Sequence, residues 1–155
     1  MITNQALETW AIHNRINLYV LDAIDPESLG DVSPAKGRTV GDLFAHLHNV
    51  RLMWLKSAAP ELLKNLKKVE KTEAGNKNLI RKSLLDSGNA IERLLKNALE
   101  ADGRVKGFKP HALAFMGYMI AHESHHRGQI VLLLRQCGHR LDNKILYGMW
   151  EWGVR

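Results

Sequence analysis

Residues 110–138 read PHALAFMGYMIAHESHHRGQIVLLLRQCG, and this stretch decides the fold. Pro110 suits the first turn of a helix, where its missing N–H is no loss. Gly138 suits the position just past a helix end, where a left-handed conformation is wanted. Between them the pattern predicts one long, otherwise apolar helix carrying histidines. Such a helix has to bury its apolar side against others, and the sequence upstream offers three. The first is expected over about Gln5–Ile24, capped by Thr3 or Asn4 and stopped at Asp25-Pro26, because the residue before a proline avoids helix. The second opens at Thr39, with Asp42 at capping-box spacing, and runs to about Ser57, ahead of Pro60. The third is expected over about Asn78–Ala101, where Leu84, Ile91, Leu94, Leu95, Ala98 and Leu99 recur at helical spacing.

No alternating pattern predicts a strand, and no internal repeat is visible. The expected fold is all-α: a four-helix bundle forming a single domain over residues 1–155. Residues 25–38, with Pro26, Gly30, Pro34 and Gly37, form the first loop. The connection over residues 60–77 between helices two and three is long enough to cross the bundle, with room for one short helix. Simple up-down-up-down order is therefore not imposed. Residues 139–155 form a tail ending YGMWEWGVR, whose Trp150 and Trp152 are expected to pack on the bundle or on a second subunit.

Composition excludes several classes. The chain of 155 residues has 45% hydrophobic and 25% charged residues, ordinary globular usage. A single cysteine, Cys137, cannot form an internal disulfide. The start, MITNQALETW, lacks the basic-then-apolar order of a secretory signal. No apolar run approaches the roughly 20 residues of a membrane span. A cytoplasmic protein with no membrane partner is expected. The formal charge of +6 invites a nucleic-acid reading. Against it, the lysines cluster over residues 64–82 among glutamates, with no aromatic ring to stack on a base. A solvated connection and helix face explains them better.

The chemistry sits in His122-Glu123-Ser124-His125-His126-Arg127-Gly128-Gln129. His122 and His126 are four apart and share one helix face. Their imidazoles can converge on one ion at about 2.0–2.1 Å, the zinc–nitrogen distance. Helix two offers His46 or His48 as a third ligand. His46 shares a stripe with Leu43, Val50, Met53 and Trp54, and His48 one with Phe44, Leu52 and Leu55, so periodicity alone leaves the choice open. Three histidines leave one position for water or substrate, as in catalytic zinc sites. Burying several imidazoles without partners would be costly, and a metal satisfies them together. His13, His111 and His139 are expected at the surface or at caps. Glu123 and His125 are the candidate proton shuttles by nearness. His122 to His126 also reads H-E-x-x-H, the zinc-metalloprotease pattern in which the Glu is the base. The extended form is missing, and no strand is available to hold an extended peptide, so a metallohydrolase ranks low. A non-catalytic metal-binding or interaction module is the second class.

The string H-x-x-H-H-R-G-Q over His122–Gln129, with His46 eight residues before Trp54, resembles the signature of the DinB/YfiT-like superfamily. Trp10, Asn14-Arg15 and Asn17 on helix one resemble it more weakly. The likeness covers about residues 5–138. It implies a four-helix bundle, often dimeric, with one divalent metal, usually zinc or nickel, held by His46, His122 and His126. The family name implies induction by DNA damage. Some relatives are transferases or isomerases that use low-molecular-weight thiols, which implies a small-molecule substrate and a metal-dependent thiol transfer. Likeness of fold does not carry function, so any activity has to rest on the site.

Overall fold

Local capping chemistry fixes where the helices begin. The computed structural model describes residues 2–155. Helix α1 covers Ile2–Asp22. Thr39 opens α2 (Val40–Ala58): its Oγ1 accepts from the Asp42 N–H and Asp42 Oδ2 accepts from the Thr39 N–H, both at 3.0 Å. Asn76 opens α3 (Lys77–Glu100), its side chain accepting from the Leu79 N–H at 3.0 Å. His111 opens α4 (Ala112–Gln136), its Nδ1 accepting from the Ala114 N–H at 3.1 Å. Pro110 therefore lies before the helix and not in its first turn. Beyond α4, Gly138 takes φ of +83°, the left-handed conformation that ends the helix.

In the bundle α3 packs on both α1 and α2, and α4 also packs on both. The connection after α2 carries two 3₁₀ turns, Pro60–Leu63 and Lys71–Glu73, where one short helix was expected. Two close approaches need glycine. A Cβ on Gly88 of α3 would sit 2.2 Å from the Asn14 side chain of α1, and one on Gly41 would sit 1.9 Å from the Ala74 carbonyl oxygen.

The apolar core has two large parts, with a small third cluster of Ala45, Val69 and Ala74 beside them. One large part gathers Val20, Leu21, Phe44, Leu47, Leu84, Ile130 and Leu134. The other gathers Trp10, Leu55, Ile91, Leu95, Phe115 and Met119. Buried polar side chains are also carried by all four helices: His13, Asn14 and Asn17 of α1, His48 and Arg51 of α2, Ser87 of α3, and Glu123 and His126 of α4.

The tail packs on the bundle in part. Ile145 and Leu146 of a short helix, α5 (Asn143–Gly148), and Met149 just after it lie against the first large part of the core. Arg155 lies 3.8 Å over the Tyr19 ring, and its backbone oxygen accepts from Arg15. Trp152 is half-buried, while Trp150 remains 78% exposed. Among the described residues no helix is long and apolar enough to cross a membrane.

Candidate metal centre

His46 of α2 and His122 and His126 of α4 meet at one point, each offering one ligand atom with all of them within 4.8 Å of one another. The helical geometry explains the pair on α4, since residues four apart stack along one face. Their Nε2 atoms lie 3.2 Å apart. Two nitrogens bound tetrahedrally at about 2.05 Å would be roughly 3.3 Å apart, so the pair is already at ligand spacing. The His46 ring centroid is 5.3 Å from that of His122 and 4.6 Å from that of His126.

Hydrogen bonding fixes which nitrogen of His126 faces the cluster. Gln129 Oε1 lies 2.7 Å from His126 Nδ1, so that nitrogen is protonated and donates. The Nε2 lone pair is then directed toward His122. The buried Nδ1 of His122 has no hydrogen-bond partner. Two imidazole nitrogens this close to each other, with a third ring beside them, are the donor set of a soft-to-borderline cation, and the residues fit a divalent ion.

The electrostatics agree. Burial lowers the pKa of His46 to about 4, with help from Arg38 and from the other two imidazoles. Burial likewise lowers His122 and His126 from the ordinary imidazole value. All three are neutral at physiological pH, the form a metal requires. Arg38 lines one cavity with His46 and another with His126, and its charge acts on all three rings.

His48 goes elsewhere. It is 1% exposed, with Nδ1 3.0 Å from the Ser83 carbonyl and Nε2 2.8 Å from the Lys67 carbonyl. The alternative ligand of the sequence reading thus ties α2 to α3 and to the connection over residues 60–77. The reason is rotational: two residues along a helix is about 200°, so His46 and His48 face nearly opposite ways.

Glu123 also departs from expectation. It is fully buried, and its carboxylate accepts from Arg51 Nε and Nη2, both at 2.7 Å, from Asn17 Nδ2 at 2.8 Å and from His13 Nε2 at 2.8 Å. Burial alone would raise its pKa, but the Arg51 guanidinium outweighs burial and holds it well below the usual carboxylate range. A carboxylate so fully occupied is a poor base: Glu123, the candidate proton shuttle, lies in a buried ion pair of the core. His13, expected at the surface, is fully buried beside it. His125 is exposed, its ring centroid 5.1 Å from that of His126, and it is not one of the converging set.

The sequence reading missed this network, and one signal for it was available. Arg51 interrupts the apolar run Leu47, Arg51, Leu55 at four-residue spacing, where a charge must find a buried partner. Its remaining bonds reach the Leu84 carbonyl at 2.8 Å and Ser87 Oγ at 3.3 Å. Arg127 joins from α4, donating to Asn17 Oδ1 at 2.7 Å and Ser124 Oγ at 3.2 Å.

Among solved structures the chain is similar to a crystal structure of a DinB-like protein from Bacillus cereus ATCC 10987. That match has 22% identity and a TM-score of 0.65, and covers 89% of this chain and 94% of that one. At this identity the likeness concerns the fold. A comparison with curated proteins returned no match. The DinB family profile matches residues 1–150, which takes in all four long helices and every histidine of the cluster. The chain belongs to the DinB family.

Proposed function

We propose that His46, His122 and His126 bind one divalent ion, zinc or nickel, and that the site serves a metal-dependent transfer reaction using a low-molecular-weight thiol. The observation that carries the metal is the convergence of three neutral imidazoles from two helices, with two Nε2 atoms 3.2 Å apart. When bound, such an ion supplies Lewis acidity, lowering the pKa of a thiol or water that reaches it.

The chain's own residues have separable tasks. Gln129 holds His126 in the tautomer whose Nε2 faces the cluster. The exposed His125 is the proton-transfer group with access to both solvent and the cluster. One cavity lined by His126 and another lined by His46 leave room for a ligand beside the cluster. That openness favours chemistry over a purely structural ion, since structural zinc sites close with four protein ligands. A metallohydrolase of the H-E-x-x-H kind loses its base, because the Glu123 carboxylate is taken by Arg51, Asn17 and His13.

The test is metal content after purification and reloading, measured on wild type and on His126→Ala. About one equivalent in the wild type and a large loss in the variant is expected. Equal, near-zero content in both under metal-replete conditions would end the proposal.

A further inference from the structure

Arg38 follows the loop between α1 and α2 and precedes the Thr39 cap. It is exposed and, among the described residues, has neither an ion-pair partner nor a side-chain hydrogen bond. Yet it does not stand alone on the surface. It lines a cavity of about 450 Å³ together with His126 and Gln129, and the opposite wall is apolar, formed by Leu43, Leu132 and Leu133. Ser33 and Gln136 complete that lining with neutral polar groups, so Arg38 carries the only formal charge in it. The volume is in the range of small-molecule sites, about 300–1,000 Å³.

This asymmetry selects a ligand chemistry. The cavity meets its occupant with one neutral imidazole, that of His126, an apolar wall and one free guanidinium. A cationic ligand would meet only repulsion, and no carboxylate in the lining answers it. A neutral ligand would leave the guanidinium unanswered. An anionic group would find a forked donor suited to carboxylate, while an apolar segment would lie along the leucines. Resting on the metal reading above, we propose that the substrate is a small anionic molecule, recognised by Arg38 through a carboxylate-type group while its reactive end lies at His126, on the edge of the histidine cluster.

The experiment uses the full chain loaded with cobalt(II) in place of the native ion, and follows the visible cobalt absorption. Two probes of similar size are titrated: 3-mercaptopropionate, which is anionic, and 2-mercaptoethanol, which is neutral. Wild type should bind the anionic thiol about two- to fivefold more tightly than the neutral one, the scale of one exposed ion pair. The preference should shrink with added salt, as an accessible charge pair is screened. R38Q should bring the two affinities close to parity, and R38K should keep part of the gap. Helical circular dichroism and the thiol-free cobalt spectrum of each variant check that the fold and the metal site are intact. Equal affinities in the wild type, or a gap that persists unchanged in R38Q, overturn the anionic-substrate proposal while leaving the metal site standing. A wild type that develops no cobalt spectrum overturns the metal reading and this proposal together.

Discussion

Glu123 illustrates how one residue can mislead a motif and yet hold a fold. In sequence it is the middle of H-E-x-x-H. In space it is the acceptor of a bidentate Arg51 pair buried among four helices. Removing one partner of such a pair leaves a buried charge uncompensated, a loss of about 3–5 kcal/mol. Glu123→Gln should therefore lower stability by that order in urea unfolding, and Arg51→Met should cost a similar amount, because it leaves the Glu123 carboxylate buried without its cation. The pH dependence follows from the lowered carboxyl pKa. The ion pair contributes fully above the unfolded-chain value of about 4.3, and that contribution is lost as pH falls below it toward the folded value, since the unfolded chain then binds more protons. Stability of the metal-free protein should begin to decline below about pH 6.5, where the buried neutral histidines are driven to charge, and below about pH 4.5 it should fall more steeply than in Glu123→Gln. At the cluster, Gln129→Ala should weaken metal binding by about 10- to 100-fold while leaving the fold intact, as loss of an orienting hydrogen bond to a ligand does. Equilibrium competition with a chromophoric chelator measures it.

At the scale of the element, what could be read from sequence was whatever depends on neighbours along the chain. Thr39 with Asp42, the Gly138 stop and the His122–His126 pair are set by spacings of three or four residues or by local backbone geometry. Thr39→Ala should accordingly cost about 1 kcal/mol, read by thermal or urea unfolding. His46 and His48 were not separable by periodicity because both stripes are apolar. What separates them is the chain segment around Lys67, which folds back over His48 and supplies a carbonyl. The His13–Glu123 and Arg51–Glu123 contacts span 110 and 72 residues, distances over which periodicity carries no information. Gly88 is a further case: its need for a bare backbone comes from Asn14 on another helix. Gly88→Ala should force α1 and α3 apart and cost about 1–3 kcal/mol, the usual effect of overpacking.

For the whole molecule, the histidine cluster joins α2 to α4 and the Glu123 network joins α1, α2 and α4, with Arg51 reaching α3. An ion bound only by the folded state should raise stability by mass action, about 2.7 kcal/mol at a free metal concentration of 100 Kd. For a chain of this size that is a rise in Tm of about 5–10 °C, absent in His126→Ala. The all-helical bundle was legible because four long helix-patterned stretches leave few alternatives. The tail was legible only as apolar, and its final arrangement, with Trp152 half-buried and Trp150 exposed, depends on a surface that only the folded bundle provides.

Crystals grown with zinc or nickel and measured across the absorption edge of each metal would locate the ion itself. A single anomalous peak is expected within about 2.0–2.2 Å of one nitrogen from each of His46, His122 and His126, with no carboxylate from Glu123 in contact. A map with no peak there, or a peak held by fewer than these three rings, would contradict the assignment of the cluster as a metal site.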